Sequence, residues 1–384
     1  MQFSRRKFIK IAGSSAIIVA ASSCASRTES SSATLPWTQA GAETEMMRFG
    51  FAHALLAPNP HNRQPWIVAL HDPMNATLYV DTDKDLPETD PFDRQITIGL
   101  GCFLELFSLA IATKGYVANI ELFPQGSSEQ GLDKRPIAQI SLIAAQDLPT
   151  DPLFAQIYAR RTNRNEFTKT VPSQKLLQQI TQTGGDVTVG FTIDKQKLEA
   201  LRTLSVEAAR IEFLTPHTYM ESVELMRIGN KEIAQNPDVL AIRGPMMGLL
   251  KKAGIVTRTT LADTNSSAFK QGLKQYSKAA ASASAFVWIA TPNNSREEQI
   301  QAGRTYVRQN LMATKMGLAM HPLSQALQEY PEMKEKLIKA HELTKTTGQR
   351  LQILARVGYA KEVPPAPRFP LTAKLAIDGQ NNTN

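Results

Sequence analysis

Ala57-Pro58-Asn59-Pro60-His61-Asn62-Arg63-Gln64-Pro65-Trp66 is the stretch from which the rest of this chain is read. A run with helical character, Met46 to Leu56, must stop before Pro58, because proline disfavours helix in the residue that precedes it. From Trp66 to Leu70 the chain turns apolar, with strand character. Between the two lie Asn62 and Gln64, two residues apart on a loop stiffened by Pro60 and Pro65. A side-chain amide offers a donor and an acceptor together. Two of them on a rigid loop suit a ligand edge that alternates donors and acceptors, such as the pyrimidine edge of a flavin ring. A polar turn that binds nothing is the alternative reading.

Upstream, Ser4-Arg5-Arg6-Lys7-Phe8-Ile9-Lys10 is followed by an apolar stretch to Ala21. Paired arginines ahead of a short apolar stretch resemble a twin-arginine export signal. The stretch is too short to span a bilayer. Ala21-Ser22-Ser23-Cys24 resembles a lipobox with Cys24 as the lipidated residue, and simple cleavage nearby is the alternative. Residues 25–41 are rich in Ser, Thr and Ala and read as a flexible linker. The expected location is the periplasm or cell envelope, lipid-anchored if Cys24 is modified. Twin-arginine export carries folded proteins, often with cofactor inserted, which agrees with a bound cofactor.

The chain of 384 residues is long enough for one or two domains with real cores. Its formal charge is +8, and the leader's Arg5, Arg6, Lys7 and Lys10 account for four of these. The remaining +4 is mild. It suits an anionic ligand and argues against nucleic acid, since no basic run is interleaved with aromatics. Cys102, the one other cysteine, sits in an apolar run and reads as a core residue.

Downstream the pattern predicts strands over 76–81, 117–122 and 137–143, and a long helix over 95–113 ended by Gly115. Five aspartates between Asp81 and Asp93 lack the glycine and terminal glutamate of a calcium loop. They read as a loop capping the helix. Gly99-x-Gly101 lies inside that helix with no strand feeding it, so it is no dinucleotide motif.

Arg160-Arg161-Thr162-Asn163-Arg164 is the second landmark. Three guanidiniums and a hydroxyl suit a phosphate, because each guanidinium donates in a planar fork and stays charged. A solvated basic turn is the alternative. Helices follow over 195–213 and 217–234, with His217 at a helix start. Residues 235–275 lack clear periodicity and contain Gly244-Pro245-Met246-Met247-Gly248, readable as a lid or as gap-filling methionines. An apolar strand over 284–290 leads to a helix over 296–317, opened by the capping box Ser295/Glu298. His321 reads as a packed histidine or a proton donor. A last strand spans 351–357, and Pro364 to Pro370 is expected to extend outward.

The stretch A-P-x-P-H-N-R-Q-P-W resembles a signature of the nitroreductase superfamily, and its His-Asn-Arg form is similar to the Acg branch of FMN-binding oxidoreductases. Arg160 to Arg164 resembles that superfamily's R-R-S-x-R motif. Gly303-Arg304, Gly317-Leu318 and Pro322-Leu323-Ser324-Gln325 resemble the second-half core of the branch. The resemblance implies an α+β, nitroreductase-like fold, with a central, mainly antiparallel sheet flanked by helices and two half-units fused into a pseudo-dimer. In one such unit the arginine motif precedes the Asn-x-Gln-Pro-Trp motif; here it follows, as a fusion would place it, although no clean internal repeat is visible. The implied divisions are 1–24 signal, 25–41 linker, 42–150 first half, 151–372 second half and 373–384 tail.

The resemblance also implies FMN held by Arg160, Arg161, Thr162 and Arg164 at the phosphate and ribityl chain. Asn62 and Gln64 would bind the ring edge, and Pro322, Leu323 and Ser324 would lie beside N5 with a backbone N–H. Arg368 stands where the family shows two arginines, so a single phosphate contact is expected there. The flavin would carry the chemistry, with no catalytic side chain and no metal. The expected function is an exported oxidoreductase passing hydride or electrons to a small organic acceptor. Its donor would be NAD(P)H or a quinol or protein donor, the export machinery its only other partner, and the chain a monomer. The alternatives are a non-turnover FMN-sequestering protein and a periplasmic small-molecule binding protein.

Overall fold

The computed structural model describes residues 32–145, 147–182, 187–244 and 246–376. Residues 4–21, read as an export signal, and Cys24 lie outside the described residues. The chain builds two four-stranded antiparallel sheets with the same strand order. In the first unit, α1 (Met46–Ala54) leads through the 57–65 loop to β1 (Trp66–Asp72) and β2 (Asn75–Val80). Then α2 (Arg94–Ala112), β3 (Tyr116–Leu122) and β4 (Ala138–Ala144) complete it. The sheet order is β1-β2-β4-β3.

The second unit repeats this plan. It runs from α3 (Gln174–Thr181) to β5 (Thr188–Thr192), and its sheet has the order β5-β8-β10-β9. Here β8 is Ala285–Thr291, β9 is Ala319–Pro322 and β10 is Arg350–Gly358. The helix α10 (Arg296–Lys315) takes the place of α2, and α11 (Lys334–Thr344) lies between β9 and β10. Strand β8 is buried at all seven positions, as a strand paired on both sides and covered on both faces must be.

The two central helices are matched position by position. Arg94 and Arg296, Ile98 and Ile300, Gly101 and Gly303, and Gly115 and Gly317 are each 202 positions apart. The helices cross at Gly101 and Gly303. Both end at a glycine with positive φ, 78° at Gly115 and 69° at Gly317. Their N-termini are closed differently. The Asp90 carboxylate accepts the N–H groups of Gln95 (3.0 Å) and Ile96 (2.9 Å), whereas Ser295 and Glu298 form a reciprocal capping box. A repeat invisible in the sequence as a whole is therefore plain at the helices that must pack on each other. Helix α2 is long and apolar enough to cross a membrane, but it forms the centre of the protein and is almost entirely buried.

The units differ in what joins the first two strands. In the first, Asp72 and Asn75 close a hairpin. In the second, residues 195–281 are inserted between β5 and β8 and form a cap. The cap contains α4 (Lys195–Leu214), α5 (Pro216–Leu225), β6 (Met226–Ile228), α6 (Asn230–Gln235), β7 (Leu240–Ile242), α7 (Met247–Lys252), α8 (Arg258–Ala262) and α9 (Ser267–Ala281). Two readings from the sequence are corrected. The helix expected over 217–234 breaks at Met226, where the chain forms a strand parallel to β7 and turns at Gly229 with φ 84°. The stretch 235–275, expected to be irregular, folds largely into short helices around a small core of Ile228, Met247, Leu250, Val256 and Leu261. Such a core is assembled from distant residues and leaves no periodic signal.

Candidate functional site

A cavity of about 330 Å³ lies where the two units and the cap meet. Its floor is the first half of α2 (Ile98, Gly99, Cys102) and Tyr306 of α10. One wall is the 58–61 loop with Thr162 and Arg164; another is His321, Pro322 and Ser324 at the end of β9. The cap closes it with Glu212, Phe213, Tyr219, Met226 and Leu240.

One end of this cavity is cationic. Arg164 is surrounded by protein, yet more than a third of its surface is open. The open surface faces the cavity that it lines. It forms no ion pair or hydrogen bond among the described residues. Burial lowers its pKa, while the Tyr276 and Tyr306 hydroxyls pull the other way. Arg160 stands behind Tyr306 and Cys102. It is 2% exposed, and its one hydrogen bond is from Nη2 to the Leu56 carbonyl at 3.0 Å. Its Nε and Nη1 are buried without partners. Two guanidiniums without a carboxylate are an expensive arrangement unless an anion joins them.

Two histidines complete this end, and both are neutral. His61 is held at φ 46°, with Nδ1 buried and unpartnered; burial first, then Arg164 and Arg63, push its pKa down to about 4. His321 is pushed well below its ordinary value by burial, Arg356 and Arg164. The Arg356 Nε–H donates to His321 Nδ1 at 3.2 Å. That nitrogen is therefore an acceptor, and the proton of the neutral ring sits on Nε2. Burial also pushes the Cys102 thiol up, and its Sγ–H donates to the Gly303 carbonyl at 3.2 Å, so this thiol is inert.

The residues read from the sequence divide into two groups. Thr162, Arg164, Pro322 and Ser324 line the cavity, and Arg160, which does not line it, lies behind Tyr306 and Cys102 with two unpartnered nitrogens. Asn62, Gln64, Arg161, Leu323 and Arg368 do not line it. The Asn62 amide donates to the Pro237 (2.9 Å) and Pro367 (3.1 Å) carbonyls and accepts from Arg368. The Gln64 amide donates to Pro237 O at 2.9 Å and accepts the Phe369 N–H at 2.9 Å. Both amides are thus spent on the cap and on the C-terminal segment, and neither presents a free edge to a ligand.

The loop pays for this with left-handed backbone at His61, Asn62 and Gln64, held by the Asn59 side chain accepting the Gln64 N–H at 2.8 Å. Arg161 donates to the Tyr158 and Arg160 carbonyls and stacks on Trp37. Leu323 is buried in the second core, and its N–H donates to Leu354 O at 2.8 Å. Arg368 turns inward, against the expectation of an outward segment. It donates to the carbonyls of Leu55 (2.7 Å) and Ala57 (2.8 Å) and so caps the end of α1.

The cap end of the cavity escaped the sequence reading. Glu212 is 6% exposed, and its Oε2 has no partner. Burial pushes its pKa up to about 7, against the lowering influence of Gln328 and Gln325. The signal was present in α4, where Leu201, Leu204, Ser205, Ala208 and Glu212 form one buried stripe.

Comparisons with known proteins follow this geometry. No family model matches the chain. It is 25% identical over 350 residues to the Mycobacterium tuberculosis (strain ATCC 25618 / H37Rv) protein named "Putative NAD(P)H nitroreductase Rv3131", covering 86% of this chain and 91% of that one. It is 37% identical over 81 residues to "Putative NAD(P)H nitroreductase acg" of the same strain, where the match spans 24% of that protein's length. Among solved structures, a nitroreductase with bound FMN from Desulfitobacterium hafniense is 14% identical with a TM-score of 0.35. It covers 60% of this chain and 99% of that one. The FMN-dependent nitroreductase NfnB from Mycobacterium smegmatis, in complex with NADPH, is 16% identical with a TM-score of 0.35. There the shares are 58% and 96%.

The fold is an α+β one, mixing helices with two four-stranded antiparallel sheets. The similarity to nitroreductase-named proteins runs through most of the chain.

Proposed function

We propose that this protein is an FMN-dependent oxidoreductase of the nitroreductase type, acting on a small organic acceptor. One observation carries the reading: Arg164, which pairs with no carboxylate among the described residues, lines a cavity large enough for a planar ring, and Arg160, with free donors, stands behind Tyr306 and Cys102 of its floor. An FMN phosphate supplies the missing anion. The fit is partial, because Asn62 and Gln64 have no capacity left for the ring edge. Bound FMN would supply the ring that accepts and passes on hydride or single electrons.

The chain's own residues have simpler tasks. Arg160 and Arg164 hold the phosphate, and the Thr162 hydroxyl reaches the ribityl chain. Pro322 and Ser324, in one wall of the cavity, would flank a bound ring. His321 is neutral at neutral pH, because burial lowers its pKa, and since its Nδ1 accepts from Arg356 the one N–H of the neutral ring is on Nε2. Phe213, Tyr219 and Met226 exclude water. The relatives' names point to NAD(P)H as donor. The paired arginines of the leader support export, with an anchor at Cys24, and palmitate labelling of wild type against Cys24→Ala tests it.

The decisive experiment is the visible spectrum of the purified protein, before and after anaerobic NADPH. A yellow protein that bleaches supports the reading. A colourless one that takes up no added FMN overturns it. The cap favours a second reading, an FMN-sequestering protein, since it closes the cavity with a large insertion. A yellow protein that neither NADPH nor a quinol bleaches would decide for that reading.

A further inference from the structure

The cavity has a second pole that the cationic end does not explain. At the cap side, three side chains present acceptor oxygens that pair with nothing: Glu212 Oε2, Gln325 Oε1 and Gln328 Oε1. Glu212 and Gln328 are 6% and 5% exposed, and all three residues line the cavity. The Gln325 Nε2 donates to the Tyr276 hydroxyl at 2.5 Å, and the Gln325 and Gln328 side chains also hydrogen-bond the Glu212 carboxyl group. Buried acceptors left unpaired are costly, and three together call for a ligand that donates hydrogen bonds.

The surroundings narrow the ligand further. Beside the acceptors stand Phe213, Tyr219, Met226 and Leu240, an aromatic and thioether wall suited to a flat ring. A cation is disfavoured, because Arg164 lies in the same cavity and burial discourages the ionised form of Glu212. An anion is repelled by the acceptor oxygens themselves. A neutral hydroxyl meets both conditions: it donates, and it brings no charge.

We propose that the cap side of the cavity is a subsite for an aromatic ring bearing a neutral hydroxyl, recognised by the acceptor oxygens of Glu212, Gln325 and Gln328. The ligand class is the phenols, including hydroquinones. The inference rests on the reading of this cavity as the oxidoreductase site, and it adds which second molecule the site is shaped for. Glu212 takes the hydroxyl hydrogen bond, Gln325 and Gln328 fix its direction, and the aromatic wall covers the ring.

Calorimetry on the full-length protein tests this with redox-inert probes: 2-naphthol, its methyl ether 2-methoxynaphthalene, and 2-naphthylmethylammonium. The naphthol is expected to bind about tenfold tighter than the ether, the value of one buried hydrogen bond. Glu212→Leu should bring that ratio close to one, and Glu212→Gln should retain part of it, since an amide oxygen still accepts. If Glu212→Leu does not fold, Gln328→Leu should lower the ratio by itself. Equal binding of naphthol and ether, a ratio untouched by either leucine variant, or tightest binding of the ammonium would overturn the proposal. Flavin content is read from the absorbance of the same samples. A protein that takes up no added FMN and still prefers naphthol would overturn the oxidoreductase reading and support the subsite alone.

Discussion

Gly101 and Gly303 are each pressed against a backbone carbonyl of the opposite helix. A Cβ at Gly101 would lie 2.1 Å from Ile300 O, and one at Gly303 would lie 2.0 Å from Ile98 O. The contact is reciprocal, as a two-fold relation between the units requires. Because the obstacle is backbone, no rotamer change relieves it. Gly101→Ala and Gly303→Ala should each destabilise the protein by about 3 kcal/mol, through overpacking at the crossing. Gly317→Ala is the control. Nothing lies within 4 Å of its added carbon, and only the positive φ of 69° opposes it, so a loss of about 1 kcal/mol is expected. Thermal unfolding of the three variants checks the order.

Asn62 and Gln64 tie the first unit to the cap through one acceptor, Pro237 O. Asp238 adds ion pairs to Lys84 at 2.6 Å and Arg63 at 3.4 Å. Removing either amide strands buried partners, which costs about 1–3 kcal/mol. The loss should be local. Asn62→Ala and Gln64→Ala are expected to speed amide exchange at Leu240–Ile242, and to leave β8 and β10 protected. Uniform faster exchange everywhere would contradict the role of a tether.

Arg164, which is partly open, and Arg368, which is buried, should behave in opposite ways. Arg368 is saturated by carbonyls and by Asn62. Arg368→Gln should lower stability by about 3 kcal/mol, since the end of α1 loses its cap. FMN affinity of the remaining folded protein should stay within about threefold. Arg164 has no protein partner, so Arg164→Gln should keep or raise stability by relieving an uncompensated charge. It should weaken FMN binding by about tenfold or more, the value of a charge-assisted contact. Unfolding curves and flavin titration on the same preparations separate the two.

What the sequence disclosed follows from how local each signal is. Helix α2 and strand β8 were legible because burial all round leaves an unbroken apolar run. The Ser295/Glu298 box was legible because both halves of the device lie within four residues. Thr162 and Arg164 were legible as neighbours of one site, because they lie two residues apart in one cationic run, and both line the cavity. Asn62 and Gln64 were misread for the opposite reason. Their partners lie 173 to 305 residues away, so a motif shaped for a ligand and one shaped for a tether look alike. Glu212 was not singled out, although it continues a buried stripe. The internal repeat was missed because only residues at the helix crossing and the helix ends are held to it.

Glu212 also predicts a pH dependence of stability. Burial pushes its pKa up to about 7 in the fold, against an ordinary glutamate value of 4.5. The folded protein therefore binds more protons than the unfolded chain between these values. Stability must fall as pH rises through that window, and it stays lowered above about 7. Asp85 and Asp90, also raised to about 7, act in the same direction. The slope of the wild type alone does not isolate Glu212, but its difference from Glu212→Gln does. Glutamine resembles the protonated acid and does not titrate. Between pH 5 and pH 8 the wild type should lose about 1–3 kcal/mol more than the variant, given 1.36 kcal/mol for each unit of pKa shift. Denaturant unfolding at the two pH values measures it. Parallel losses in the two proteins would mean that Glu212 ionises freely in the fold, and the cap side of the cavity would then be wetter than its burial indicates.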